Sequence, residues 1–147
     1  MKKLLTILVV ALPVFFSVTS CKKTTYPPEI IATIDTISLN TFNVTFMLVD
    51  SAVNPEVVQI DGFASNYTPG TAFKPGVQLT FPVALGTYTI PGQASAFAYN
   101  SVTGSAGSKA VSGTVQVTLV GDNVSGIYNF ICKDGTTVTN GTFNSHY

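Results

Sequence analysis

Val111, Gly113, Val115, Val117 and Leu119 alternate with Ser112, Thr114, Gln116 and Thr118, and this period of two constrains the fold more than any other feature of the chain. Apolar side chains on every second residue belong on a strand with one buried face, because successive side chains of a strand point to opposite sides. Gly121-Asp122-Asn123 then turns the chain, residues 124–133 return with Tyr128, Phe130 and Cys132 in phase, and Asp134-Gly135 is a hairpin dipeptide suited to a tight turn. Residues 136–143 complete a three-stranded antiparallel meander. Its core face is predicted to hold Val115, Val117, Leu119, Tyr128 and Phe130, with Thr114, Gln116, Thr118 and Asn129 toward water.

The same period recurs upstream. Phe42, Val44, Phe46 and Leu48 fall on one side of a strand over 41–49, and shorter apolar runs occupy 30–34 and 37–39. Residues 56–64 read as a mostly apolar strand that Asp61-Gly62 interrupts, the pattern of a β-bulge. Val77, Leu79, Phe81 and Val83 restore alternation, residues 87–90 and 95–99 add two short strands, and Pro91-Gly92 turns the chain between them. The stretches 65–76 and 100–109 carry no pattern and read as loops. With no helical period anywhere beyond residue 29, the expected class is all-β: one antiparallel domain over 29–147, of about eight or nine strands, closed as a sandwich or a flattened barrel.

The N-terminus obeys a different logic. Met1-Lys2-Lys3 is a basic head on an apolar run, residues 4–16, that is too short to span a bilayer and reads as a signal peptide. It closes on Val18-Thr19-Ser20-Cys21, which resembles the lipobox of bacterial lipoproteins, where the cysteine is acylated with chains such as palmitate and becomes the new N-terminus. Residues 1–20 are thus expected to be removed, leaving 127 of 147, with Cys21 and residues 22–28 as a tether that ends in Pro27-Pro28. The expected address is the outer membrane, facing the periplasm or the cell surface, with lipid on Cys21 as the contact to the membrane. Cys132 then has no disulfide partner and reads as a small buried hydrophobe.

A wider likeness lies in the second half. Gly86-Thr87-Tyr88-Thr89-Ile90, Ala98-Tyr99, Ser112-Gly113-Thr114-Val115, Val124-Ser125-Gly126-Ile127-Tyr128-Asn129-Phe130 and Val138-Thr139-Asn140-Gly141-Thr142-Phe143-Asn144 together resemble a family of uncharacterised Bacteroidetes lipoproteins of the DUF6252 type. The resemblance runs over about residues 56–147 and implies a shared β fold and a cell-envelope address, with no known activity. The first half departs from it, lacking the tryptophan that often follows an early glycine in that family.

Composition narrows the function by exclusion. From Thr24 onward there are three lysines (Lys74, Lys109, Lys133) against seven acids, a net charge near −4, which argues against nucleic acid because phosphate binding needs clustered basic side chains. The single histidine, His146, is the penultimate residue, where chains tend to fray, so a Ser-His-Asp or Cys-His catalyst is not expected. Asp50, Asp122 and Asp134 sit in turn sequences that explain them; Asp61, inside an apolar strand, is the exception. No Cys/His cluster, calcium loop or phosphate loop occurs, and neither a metal nor a cofactor is expected. Tyr67 and Phe73, in the patternless stretch after residue 64, are the candidate ligand-binding residues. Asp35-Thr36-Ile37 and Asp50-Ser51-Ala52 resemble the acceptor sequence for O-glycosylation in Bacteroidetes. The expectation is a non-enzymatic envelope module, binding or structural, with a carbohydrate- or hydrophobe-binding accessory lipoprotein as the alternative and an enzyme third; its partners would be glycan or protein. A solvent-connected pocket, or a group of exposed aromatics, near the 65–76 stretch would favour the alternative.

Overall fold

The computed structural model describes residues 26–64, 74–100 and 107–147. These form ten strands: β1 (Glu29–Ile34), β2 (Ile37–Thr41), β3 (Val44–Asp50), β4 (Val57–Phe63), β5 (Gly76–Pro82), β6 (Gly86–Ile90), β7 (Ser95–Tyr99), β8 (Ser108–Val120), β9 (Asn123–Cys132) and β10 (Thr137–His146). All pairings are antiparallel, along the path β2-β1-β10-β9-β8-β7-β5-β4-β3, with β6 added on β8. The class is all-β, with ten strands rather than eight or nine.

β8 decides how this one sheet becomes two layers. Its first residues pair with β7 (Ala98↔Ser108, Phe97↔Lys109), and its later ones pair with β6, from Ile90↔Gly113 to Gly86↔Val117. The exchange of partners falls at a bulge between Ala110 and Ser112, followed by Gly113 at φ 143°. A side chain there would stand 2.3 Å from the Asn129 carbonyl oxygen, so only glycine lets the strand bend at this point. The front layer is β2-β1-β10-β9-β8-β6 and the back layer is β3-β4-β5-β7 with the start of β8. They face each other as a flattened, nearly closed barrel.

The core is the set of inward residues of both layers, among them Ile30, Val115, Tyr128 and Phe130 from the front and Ile60, Leu79 and Phe81 from the back. Phe81 meets Phe143 across the interior with ring centroids 5.0 Å apart. Burial on this scale stabilises each large side chain by about 1.5–3 kcal/mol relative to exposure. Gly62 belongs to this packing rather than to a bulge. β4 keeps unbroken register with β5 through Asp61 and Gly62, and a side chain at Gly62 would lie 2.6 Å from Ile30 Cδ1 of the facing layer. The glycine makes room for Ile30.

The meander forms as its alternation predicts, with two shifts of phase. A second bulge in β8, between Val117 and Leu119, turns Leu119 outward, and at 52% exposure it is not a core residue. The first bulge turns Val111 outward in the same way. β3 is shorter than the 41–49 pattern: Phe42 lies outside it and is exposed, and Leu48 is 50% exposed beside a bulge against β4. Residues 108 and 109, read as loop, begin β8. His146 does not fray, because β10 runs on through it in register with Asn123. Cys132 is buried and forms no disulfide among the described residues.

Candidate functional site

In β4, β5 and β7 the inward set is Val58, Ile60, Val77, Leu79, Ala96 and Ala98. The alternate set therefore faces out. The register arranges it in rows across the back layer: Phe63↔Gly76↔Tyr99, then Asp61↔Gln78↔Phe97↔Lys109, then Gln59↔Thr80↔Ser95. In β7 the small alanines face the core while the large Phe97 and Tyr99 face away from it, the reverse of what burial alone would choose.

Gly76 shapes the first row. A side chain at Gly76 would stand 2.3 Å from Phe63 Cδ1, and the space it leaves lets the rings of Phe63 and Tyr99 meet across a strand, with centroids 5.0 Å apart at 62°. This edge-to-face pair is part-buried. Next to it, Asp61 Oδ2 accepts a hydrogen bond of 3.0 Å from Gln59 Nε2, whereas Asp61 Oδ1 is buried and has no hydrogen-bond partner among the described residues. A buried acceptor without a partner costs about 1–3 kcal/mol, a cost that an O–H or N–H donor on a ligand removes only when the carboxylate turns to meet it. Beyond Phe97 the face opens into a hollow of about 280 Å³ whose lining is mixed, with Thr80, Gln93, Ser95 and Lys109 beside the apolar Val57 and Pro91. Aromatic faces, a carboxylate, amides and hydroxyls on one sheet surface are the groups that hold a polyhydroxylated ring: apolar C–H faces lie on the aromatics and hydroxyls reach the polar groups. Glycoside hydrolysis needs two opposed carboxyl groups, and Asp61 is the one acid in these rows.

The outward face of the front layer differs. Its central row, Thr87↔Gln116↔Ile127↔Thr142↔Ile31↔Asn40, carries no charge. Two hollows, of about 350 and about 420 Å³, both touch Asn129 there; Phe130 lines the first and Tyr128 the second, and both of these rings belong to the buried core.

The residues singled out in the sequence fall as follows. Cys21, Tyr67 and Phe73 lie outside the described residues. The flanks of the 65–73 stretch sit at the back-layer face, where Ala64 N donates to Pro75 O at 2.9 Å. Asp50 and Asp134 cap turns, accepting from Ala52 N at 2.9 Å and Thr136 N at 3.0 Å. Asp35 has a structural role: at φ 53°, it accepts from Thr137 N at 2.7 Å, Thr137 Oγ1 at 3.2 Å and Asn100 Nδ2 at 2.7 Å. Thr36 and Ser51 are exposed. His146 Nδ1 lies 3.0 Å from Asn123 Oδ1. The Cys132 thiol donates to the Ser108 carbonyl oxygen at 3.1 Å, and burial pushes its pKa up to about 11, far from a reactive thiolate. The described residues hold no group of three or more His, Cys, Asp or Glu side chains able to bind a metal, and no helix long and apolar enough to cross a membrane.

Phe63, Phe97 and Tyr99 were not singled out in the sequence. The signal for Phe97 and Tyr99 is Ser95-Ala96-Phe97-Ala98-Tyr99, whose period is clear but whose inward side is not, since both alternate sets are mainly apolar. Compared with protein-family models, with curated proteins and with solved structures, the chain matches none.

Proposed function

We propose that the chain is a lipid-anchored lipoprotein of the cell envelope whose β-domain is a non-enzymatic module that binds glycan on the outward face of β4, β5 and β7. The signal-like residues 1–20 and the lipobox-like Val18-Thr19-Ser20-Cys21 support the anchor. One observation carries the binding face: the Phe63–Tyr99 pair stands beside Asp61, whose Oδ1 has no hydrogen-bond partner among the described residues. Sugar rings stack on Phe97 and lie against the part of Tyr99 that Phe63 and Gly107 leave uncovered, the Asp61 carboxylate turns to accept from a ligand hydroxyl, and Gln78 and Lys109 hold the oxygens of the next residue.

The test is a screen of envelope and dietary polysaccharides by affinity electrophoresis, followed by Tyr99→Ala and Asp61→Asn. Each substitution is expected to weaken binding at least tenfold while the denaturation midpoint stays near that of the parent. Gln116→Ala, on the opposite face, leaves binding unchanged. Equal binding by all three variants, or no polysaccharide retained, refutes the assignment.

A further inference from the structure

One corner of the barrel is apolar where a soluble surface would be polar. Tyr26, Leu48, Val53, Leu119, Val120 and Tyr147 are all exposed, the two tyrosines at 64% and 53%. Contacts tie them to one place. Tyr147 N donates to Asp122 O at 3.0 Å in the β8–β9 turn, its ring meets Phe46 of β3 at 5.6 Å, and its hydroxyl bonds Glu56 in the β3–β4 connection. Leu119 shares a cross-strand row with Ser125, Asn144 and Glu29, and Asn144 Nδ2 donates to Pro27 O at 3.0 Å, so the chain enters the domain at the same corner. Grouped exposed apolar side chains mark a surface that is covered in use.

We infer that this corner rests on the bilayer to which the chain is anchored. The inference rests on the anchoring reading given above. Five residue steps separate Cys21 from Tyr26, which at about 3.3–3.6 Å each reach no further than about 18 Å. A lipid on Cys21 thus keeps the corner of entry within about 18 Å of the bilayer, close enough for it to reach the headgroup layer, to which tyrosines with short aliphatic side chains are suited. Charge selects the kind of surface. Glu29, Asp50, Glu56 and Asp122 surround the corner and outnumber Lys22 and Lys23 of the tether, while the lysines of the domain, Lys74, Lys109 and Lys133, belong to other parts of the fold. The surface that fits is therefore zwitterionic, and the contact is apolar rather than electrostatic. Of the glycan face, the Phe63–Tyr99 end lies farthest from the membrane: Phe63 is at the opposite end of β4 from Val57, about 20 Å along the strand.

The chain has no tryptophan, so single ones report position. Full-length protein, matured and purified, is reconstituted in phosphatidylethanolamine–phosphatidylcholine vesicles carrying brominated acyl chains, as Leu119→Trp, Val53→Trp and Lys133→Trp. The first two are expected to be quenched several-fold more than Lys133→Trp, which lies at the opposite end of β9, and added salt leaves the difference in place. Hydrogen exchange of the parent protein supplies a reading without substitutions: residues 118–123 and 48–56 slow on vesicles relative to detergent, and residues 133–136 do not. Equal quenching at the three positions, no slowing, or cross-linking of Leu119 regions between two copies in place of lipid quenching overturns the inference. The mass of the mature N-terminus separates the two readings. Cys21 without acyl chains removes the anchor itself, whereas an acylated chain with equal quenching removes only the orientation.

Discussion

The Tyr128 hydroxyl donates to the carbonyl oxygen of Ile31, 3.2 Å away and 97 residues earlier in the chain. Tyr128 is on β9 and Ile31 on β1, so the ring must cross β10 to make this bond. It does so over Gly141, where a side chain would lie 2.5 Å from two ring carbons. The register slips on both sides of the crossing, between Val138 and Gly141 against β9 and between Ile31 and Thr33 against β1. One buried phenol thereby fixes the order of three strands, and burial raises its pKa.

Removing either party tests this lock. Tyr128→Phe is expected to lower stability by about 1–3 kcal/mol, because the Ile31 carbonyl loses its donor. Gly141→Ala adds a methyl where there is no room and is expected to cost about as much or more. Urea midpoints decide it: a Gly141→Ala protein as stable as the parent would show that the ring does not lie over β10.

The bulge at Leu119 gives a second prediction. Phe130→Ala is expected to cost about 3–5 kcal/mol, since it empties a fully enclosed site. Leu119→Ala and Gln116→Ala, both on the water side, stay within about 0.5 kcal/mol. A loss at Leu119 comparable with that at Phe130 would mean that the alternation continues unbroken through residue 119.

Cys132 gives a third. Its thiol is neutral in the fold up to about pH 11 but ionises from about pH 9 in the unfolded chain, so between these values the folded state holds the extra proton. Stability is therefore fully present below pH 9 and falls as pH rises toward 11. Tyr128 adds to the same slope, and the comparison that isolates the thiol is the parent against Cys132→Ala, whose decline over this window is expected to be shallower. Native Cys132 is also expected to react with a bulky maleimide only on the timescale of unfolding; labelling within seconds would place the thiol outside the core.

What the sequence discloses here is whatever is encoded locally. The meander, the Asp134-Gly135 turn and the burial of Cys132 each follow from a few neighbouring residues. Val111 and Leu119 escape it because a bulge changes phase without changing residue type, and a one-residue slip sends a side chain to the other face. Gly62 escapes for another reason. Its lack of a side chain answers Ile30, which is remote in sequence and becomes a neighbour only when the layers close. The candidate face shows both limits at once: Phe97 and Tyr99 are visible as aromatics, but Ala96 and Ala98 give no hint that they, the smaller set, form the core side.

Asp35 adds a feature that spacing does not reveal, since its carboxylate joins the β1–β2 turn to Thr137 and Asn100, far along the chain.

The place of β10 between β1 and β9 governs the order in which the domain can assemble. The strand that joins the beginning of the domain to its end is the last to be synthesised, so the β1–β2 hairpin has no seat in the front layer until residue 146 has emerged. The pairing Glu29↔Asn144 joins residues more than a hundred positions apart. The entropic cost of such a closure grows only slowly with length, but contacts this distant in sequence slow folding.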